Sequence, residues 1–134
     1  MSNIKTIHHI NFLVRDLRAS VAKYEHSLGL GPFVFEDLAE RGVSTARLLL
    51  GETWLVLVMP NTTDSVPARH LAEYGEGFFL LSFGVNDLES TLLDLEAGAS
   101  ANARVRKGIG GWKIADLDTL DDLDVRYHLT EISS

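Results

Sequence analysis

Residues 9–17, His-Ile-Asn-Phe-Leu-Val-Arg-Asp-Leu, are the stretch of sequence that decides the fold. Their apolar side chains at positions 10, 12 and 14 share one face at the period of a strand, which predicts a β-strand over residues 7–14. Asp16 follows that strand, where its carboxylate can accept a hydrogen bond from a free backbone N–H and so begin a helix. Apolar residues then recur at helical spacing, and Gly29 is placed to end the helix.

A second copy of this pattern lies later in the chain. Residues 14–17, Val-Arg-Asp-Leu, match residues 85–88, Val-Asn-Asp-Leu, at an offset of 71 positions. We therefore expect Asp87 to begin an equivalent helix and Gly98 to end it. Self-similarity at a fixed spacing indicates a repeated structural unit. The sequence predicts an α+β fold in which two βαβββ modules form a curved mixed sheet around a cleft.

The remaining elements complete both modules. Short runs rich in β-branched and aromatic residues predict strands, and Ser65 is placed to cap a short helix at 67–74. Further strands are expected at 33–37, 43–50, 53–59, 78–85, 103–107, 112–117 and 125–132. We expect a single domain over residues 1–134, with module one at about 5–60, a linker at about 61–77 and module two at about 78–132.

The composition excludes several classes of protein. The chain has 134 residues and no cysteine, so disulfide scaffolds, thiolate zinc sites and cysteine nucleophiles are excluded. A net charge of −7 argues against nucleic-acid binding, which usually needs a basic surface. No apolar run reaches the roughly 18 residues of a membrane span, and the first residues do not resemble a signal peptide. We therefore expect a cytoplasmic protein.

The opening stretch, with Tyr24 and the tripeptide Leu28-Gly29-Leu30, resembles the start of proteins of the vicinal oxygen chelate superfamily. That superfamily includes glyoxalase I, methylmalonyl-CoA epimerase, extradiol dioxygenases and bleomycin-resistance proteins. The segment from Met59 to Gly98 is most similar to methylmalonyl-CoA epimerases. The resemblance implies the paired-module fold, a small-molecule ligand in the cleft and assembly into a homodimer.

The resemblance also implies four positions that hold a divalent metal in enzymes of the superfamily. In this sequence they are occupied by His9, Val56, Leu80 and His128. Two of the four side chains are aliphatic, whereas a catalytic metal generally needs about three protein ligands. We therefore predict no bound metal cofactor and interpret His9 and His128 as polar residues that line a metal-free cleft. The alternative is a divalent metal that these two imidazoles hold weakly, with water molecules as its other ligands.

Strand alternation and the resemblance together nominate the residues of the cleft. His9 and His128 are the candidate catalytic residues, because an imidazole titrates near neutral pH. The candidate substrate-binding residues are Asn11, Arg47, Trp54, Val56, Leu80, Ser82 and Arg126. Alternation places His8 on the opposite face from His9. We interpret the glycine-rich residues 107–113 as a mobile loop near the cleft, and the aspartates at 116–124 as part of a solvated hairpin turn.

Two functions follow from this reasoning. The first is a protein of the glyoxalase and bleomycin-resistance type that binds a small organic molecule through a degenerate metal site. The alternative is a metal-dependent lyase or isomerase, similar to the epimerases, that acts on a small organic acid or acyl thioester. The sequence predicts no nucleic-acid or membrane partner for either function.

Overall fold

A computed structural model describes residues 3–95, 105–117 and 119–132 of the chain. It divides into two compact units. Unit A is Ile10–Phe79, and unit B consists of the described residues of Met1–His9 and Leu80–Ser134. Strand β1 (Ile4–Leu13) contributes to both units. Among the described residues, no helix combines the length and the apolar character that crossing a membrane requires.

Unit A contains the first βαβββ module. Its elements are α1 (Leu17–Leu28), β2 (Val34–Leu38), β3 (Val43–Leu50), β4 (Thr53–Pro60) and α2 (Val66–Tyr74), with a 3-10 turn at Ala39–Arg41. The strand order is β2-β3-β4-β1, and β2, β3 and β4 pair antiparallel. Helix α1 packs on one face of these strands through a core that includes Leu17, Val21, Ala46 and Leu57.

Unit B contains the second module. Its elements are β5 (Gly77–Val85, from Leu80 onward in this unit), α3 (Leu88–Asp94), β6 (Val105–Lys107), β7 (Lys113–Asp116), α4 (Leu120–Leu123) and β8 (Tyr127–Glu131). A 3-10 turn at Ile109–Gly111 precedes β7. The strand order is β1-β5-β8-β7-β6; β5 and β8 run parallel, while β8, β7 and β6 pair antiparallel, so this sheet is mixed. Its core is formed by Val85, Leu88, Ala115 and Leu129.

The predicted helix starts are confirmed. Asp16 caps α1 by accepting a hydrogen bond from the backbone N–H of Ala19 (3.1 Å), and Asp87 caps α3 by accepting one from Ser90 (2.9 Å). Ser65 caps α2 in the same way. Gly29 ends α1 with a φ of 66°, a left-handed conformation that glycine adopts without steric cost. The α+β fold with two βαβββ modules is therefore confirmed.

Two boundaries differ from the prediction. Helix α3 ends at Asp94, because Leu95 has an extended backbone and packs against the core of unit B; Gly98 lies outside the described residues. The aspartates lie in the connection between the antiparallel strands β7 and β8, which agrees with the predicted hairpin, but the connection is more than a simple turn. A short helix, α4, occupies that place, and Asp124 ends it in the left-handed conformation. Asp118 and the side chains of Asp121 and Asp122 lie outside the described part.

Candidate functional site

The polar face of unit B is the sheet surface opposite the core that packs on α3. Along β5 and β8, the core residues Val85 and Leu129 alternate with side chains that point the other way. This second face holds His9, Ser82, His128 and Thr130. Taken as whole residues, none of the four is more than 7% exposed. Buried polar groups cost free energy unless they are hydrogen-bonded, so the partners of these side chains define what the face can do.

His128 and Asp116 face each other across the β7–β8 pair. Nε2 of His128 lies 2.9 Å from Oδ1 of Asp116. Arg106 binds the same carboxylate with two nitrogens, at 2.7 Å from Nη2 to Oδ1 and 3.3 Å from Nε to Oδ2. Burial works to raise the pKa of Asp116, but the hydrogen bonds from His128 and Arg106 outweigh it and hold that pKa well below its ordinary value of 3.8. Asp116 is therefore an ionised acceptor.

The ionised carboxylate decides the tautomer of His128. A carboxylate only accepts hydrogen bonds, so Nε2 of the ring must carry the hydrogen. In the neutral ring Nδ1 is then an unprotonated acceptor. Among the described residues, none forms a hydrogen bond with that Nδ1.

His9 is the most buried imidazole of this face, at 2% exposure. Its Nδ1 lies 2.9 Å from Nδ1 of His8, so one of the two rings donates and the other accepts. Trp112 stacks on His9 with ring centroids 4.9 Å apart and meets His8 edge-on at 4.6 Å. Burial, and then the neighbouring His8 and His128, hold the pKa of His9 well below 6.5. His9 is therefore neutral at pH 7, and Nε2 of its ring has no hydrogen-bond partner within the described ranges.

The glycine-rich segment before β7 places Trp112. The backbone N–H of Trp112 donates to the carbonyl of Ile109 (2.9 Å), and the N–H of Gly108 donates to the carbonyl of Trp112 (2.8 Å). Gly110 and Gly111 have φ values of 61° and 75°, where a side chain would be strained. The segment interpreted as a mobile loop is thus a hydrogen-bonded turn that holds an aromatic ring against His9.

The other predicted residues of unit B lie beside this cluster. Ser82 pairs with His128 in the β5–β8 register, and its Oγ lies 2.6 Å from Oγ1 of Thr130. Leu80 is 2% exposed. Burial lowers the pKa of Arg126, and the negative charge of Asp116 opposes that effect. Unit B therefore brings together five of the nine predicted site residues, which are His9, Leu80, Ser82, Arg126 and His128.

The other four predicted residues belong to unit A. Arg47 forms an ion pair with Glu36 (Nη1 to Oε1, 2.8 Å), and its guanidinium lies 5.5 Å from the ring centroid of Trp54. Val56 is the β4 partner of Arg47 and is completely buried. Asn11 is 8% exposed, and within the described part of the chain its buried Oδ1 has no hydrogen-bond partner. That these four share a cleft with the residues of unit B stays a prediction.

Sequence reasoning missed four members of the polar face. It placed His8 away from His9, yet the two rings are in contact, because side chains of adjacent residues can turn toward each other at a partly exposed position. It predicted a strand over 112–117 but interpreted the aspartates from 116 onward as part of a solvated turn, so Asp116, which ends β7, was not nominated as a site residue. Arg106 and Trp112 were not nominated as site residues. The alternation of Asp116 with the core residue Ala115 was an available signal, and it needed the β7–β8 register to become informative.

The donor set at this face does not fit a divalent metal. Nε2 of His128 is engaged by Asp116, and Leu80 offers no ligand atom. Over the ranges that the structure describes, one group of three potential ligands lies close enough to hold an ion, and it is Asp87, Glu89 and Glu131, away from both histidines. There Lys113 already forms ion pairs with Glu89 and Glu131.

Comparisons with known proteins agree with this architecture. The family model for the Glyoxalase/Bleomycin resistance protein/Dioxygenase superfamily matches residues 6–119. A variant of the Streptomyces coelicolor methylmalonyl-CoA epimerase in complex with 2-nitronate-propionyl-CoA is 29% identical, covers 98% of this chain and 99% of that one, and has a TM-score of 0.86. A methylmalonyl-CoA epimerase in complex with methylmalonyl-CoA and NH4+ is also 29% identical, with 98% and 96% coverage and a TM-score of 0.86.

The fold is shared more widely. The methylmalonyl-CoA epimerase of Mycobacterium tuberculosis has a TM-score of 0.87 at 24% identity and covers 100% of this chain and 92% of its own. A sequence comparison with curated proteins gives no significant match. The resemblance inferred from the opening stretch and the repeat, including its epimerase-like pattern, is confirmed: the chain belongs to the Glyoxalase/Bleomycin resistance protein/Dioxygenase superfamily.

Proposed function

We propose that this protein binds a small organic acid or its acyl thioester at the polar face of unit B, without a divalent metal. The observation that carries the proposal is the pair of buried imidazoles, His9 and His128, each with one ring nitrogen that no described residue engages. A ring nitrogen that no protein group engages is available for a hydrogen bond with a bound polar group. Ligand pockets typically combine a few polar groups of this kind with apolar walls.

The charges of the face favour an anionic ligand. Asp116 contributes one carboxylate, while Arg106 and Arg126 contribute two guanidinium groups, so these three groups leave one net positive charge. The whole chain, in contrast, carries −7. A guanidinium recognises a carboxylate through paired hydrogen bonds. We therefore propose that Arg126 binds the acid group of the ligand.

The superfamily relatives support the choice of a thioester. Epimerases similar to this chain have been solved with 2-nitronate-propionyl-CoA and with methylmalonyl-CoA. The indole of Trp112 offers an apolar surface for the acyl group beside His9. We further propose that Asn11, Arg47, Trp54 and Val56 of unit A also serve in substrate binding, and that the chain is one domain, with the two modules joined at about 61–77.

The donor set favours one of the two functions that the sequence left open. A metal-dependent lyase or isomerase needs a ligand set that His9, Leu80 and His128 do not supply. Binding without a metal is therefore the better-supported function. We propose that the protein is a homodimer and that it is cytoplasmic. Light scattering at micromolar concentration tests the oligomeric state.

Calorimetric titration with methylmalonyl-CoA and propionyl-CoA in the presence of EDTA tests the binding. We expect one-to-one binding that added Co²⁺ or Zn²⁺ does not strengthen. Arg126→Gln should weaken the binding of methylmalonyl-CoA about tenfold or more, since a hydrogen bond to a charged group contributes about 1.5–3 kcal/mol. Arg69→Gln, which removes the same charge from the exposed side of α2, is the matched control and should bind as the parent does. Binding that requires a divalent metal would overturn the proposal.

A further inference from the structure

A cavity in unit A lies between the start of α1 and the strands β2, β3 and β4. Asp16 and Arg18 line it from the helix, and Asp37, Ser44 and Met59 line it from the three strands. Its volume is about 350 Å³, and small-molecule sites usually have about 300–1,000 Å³. We infer that this cavity, the α1 cavity, binds a primary alkylammonium ion, which is the charged end of an aliphatic amine.

The α1 cavity lies on the opposite side of the unit A strands from Arg47 and Val56, which the proposed function uses. Ser44 shares one side of β3 with Ala46, and Ala46 packs in the core against α1. Arg47 points to the other side of that strand. The inference therefore does not rest on the proposed function, and a failure of one leaves the other intact.

The repeat gives the α1 cavity a counterpart in unit B. The two N-cap aspartates correspond at an offset of 71 positions, and so do Leu17 and Leu88. The N–H of Leu17 donates to Sδ of Met59 (3.4 Å), and the N–H of Leu88 donates to Oε2 of Glu131 (2.9 Å). Met59 and Glu131 therefore occupy equivalent places in β4 and β8, the last strands of the two modules.

In unit B this place holds an alkylammonium group from the chain itself. Ser44 is the β3 partner of Met59, and the register of β7 and β8, extended by one residue, makes Lys113 the partner of Glu131. Nζ of Lys113 forms an ion pair with Glu89 and lies 4.0 Å from Oε2 of Glu131. The hydrogen bond with Glu89 raises the pKa of Lys113, so the carboxylates favour the charged amine.

Ser44 leaves this place open in unit A. A serine side chain ends after one carbon and one oxygen, whereas a lysine side chain continues through four methylene groups to its nitrogen. The α1 cavity therefore lies where the side chain of Lys113 lies in unit B. Leu17 and Met59 border it with apolar surface along which a methylene chain can pack. A primary alkylamine has the length and the charge of the group that Ser44 does not provide.

Two carboxylates line the α1 cavity with oxygens that are available for a cation. One oxygen of Asp16 accepts the capping hydrogen bond, and within the described ranges its other oxygen and the carboxylate of Asp37 have no partner. The lining carboxylate of Glu36 is already engaged in an ion pair. Arg18 is the cation among the lining residues, and it stacks on Phe35 at 4.3 Å. The two available carboxylates therefore leave one net negative charge for an ammonium ion.

An NMR titration tests the inference. Backbone ¹H–¹⁵N shifts of the full chain are followed while n-butylammonium chloride is added, with 1-butanol and sodium chloride at the same concentrations as controls. We expect saturable shifts at residues 16–18, 35–37 and 44, which border the α1 cavity, and no saturation with either control. No saturation with butylammonium, or equal saturation with 1-butanol, would overturn the inference.

Removing the carboxylates separates binding from folding. Asp37→Asn should weaken the binding of butylammonium about threefold, as expected for a partly exposed ion pair. Asp16→Asn should do the same while the helix keeps its cap, because asparagine caps as well as aspartate does. The double variant should lose about tenfold. Asp64→Asn, at an exposed position of unit A, is the matched control, and an unchanged affinity in the double variant would contradict the inference.

Exchanging residues between the modules gives a readout that a structural role alone would not produce. Ser44→Lys supplies the ammonium group from the chain, as Lys113 does in unit B, and should abolish the saturable shifts while circular dichroism stays that of the parent. Lys113→Ala should create a second set of saturable butylammonium shifts at residues 87–89 and 131, and the exposed Lys23→Ala is its control. Unchanged saturation in a folded Ser44→Lys protein, or no second set in Lys113→Ala, would each count against the inference.

Two further probes distinguish the sources of such an amine. 1,4-Diaminobutane represents a free aliphatic amine, and N-acetyl-lysine methylamide represents a lysine side chain of another protein. We expect the diamine to saturate the α1 cavity at the lower concentration, because it carries no backbone that must stay outside. Tighter binding of the blocked lysine would support the same cation site with a protein side chain as its occupant. Saturation by neither probe would overturn the inference.

Discussion

Nε2 of His128 lies 2.9 Å from Oδ1 of Asp116, and the two residues are direct partners in the antiparallel pair of β7 and β8. The side chain of His128 is 9% exposed and that of Asp116 is 48% exposed, so the contact spans the boundary between the buried face and solvent. Solvent can therefore reach the carboxylate, while the imidazole stays in the protein interior. This arrangement makes the face sensitive to the ionisation of Asp116.

Acid should lower the free energy of unfolding, because Asp116 becomes protonated. Its folded-state pKa is held well below the value of 3.8 that an ordinary aspartate has, so between these two values the unfolded chain binds more protons than the folded one. The stability that Asp116 contributes is therefore present above about pH 3.8 and decreases as the pH falls below it. Urea unfolding at a series of pH values from 3 to 6 should show a smaller decrease for Asp116→Asn than for the parent. Asp124→Asn should behave as the parent, and an equal decrease in all three proteins would contradict the prediction.

Protonation of His9 should produce a second decrease in the free energy of unfolding, at a higher pH than the decrease due to Asp116. Burial, with His8 and His128 nearby, holds the pKa of His9 well below 6.5, so protonation favours the unfolded chain. The free energy of unfolding should fall as the pH decreases below about 6.5, by at most about 1.4 kcal/mol per pH unit for this one group. His9→Gln removes the titrating group and should flatten the profile between pH 6.5 and 5, measured by urea unfolding. The exposed His26→Gln is the control, and an unchanged slope in His9→Gln would show that another group is responsible.

The two aspartate N-caps should contribute similar amounts to the free energy of unfolding. Asp16 and Asp87 have nearly the same backbone conformation (φ −133° and −136°), and each accepts a hydrogen bond from the N–H three residues later. Replacing either with alanine should lower the free energy of unfolding by about 1 kcal/mol, measured by urea denaturation. Asp64→Ala, at an exposed position outside any helix, is the matched control. A change below about 0.3 kcal/mol at both caps would mean that they do not hold the helices.

These caps show which part of the fold can be predicted from the sequence. An N-cap depends on a few consecutive residues, and the repeat supplied an independent second copy, so both helix starts were correct. The end of α3 was placed too late, because Leu95 continues the apolar period of the helix although it packs on the core in an extended conformation. For α3 the local pattern therefore gave the beginning of the helix correctly and its end incorrectly, whereas Gly29 marked the end of α1 correctly.

The polar face required information that a single sequence does not contain. His9 and His128 were nominated through the superfamily resemblance. Their partners Asp116 and Trp112 were missed, because pairing across strands depends on register and because a stacked indole depends on the turn before it. A shift of one residue in β7 would point Asp116 to the other side of the sheet.

The final prediction concerns the four positions at which enzymes of the superfamily hold a divalent metal. The superfamily resemblance places Val56 and Leu80 at two of the four ligand positions, and both side chains are buried aliphatic groups. Divalent cations need oxygen or nitrogen donors, so dehydrating the ion would be poorly compensated at these positions. Introducing Val56→Glu together with Leu80→His should create one-to-one Co²⁺ or Zn²⁺ binding that the parent does not have, measured by calorimetric titration. His9→Ala in that background should abolish the binding, while His26→Ala should not. Tight one-to-one binding by the unmodified protein that His9→Ala removes would show that two histidines suffice to hold a metal here.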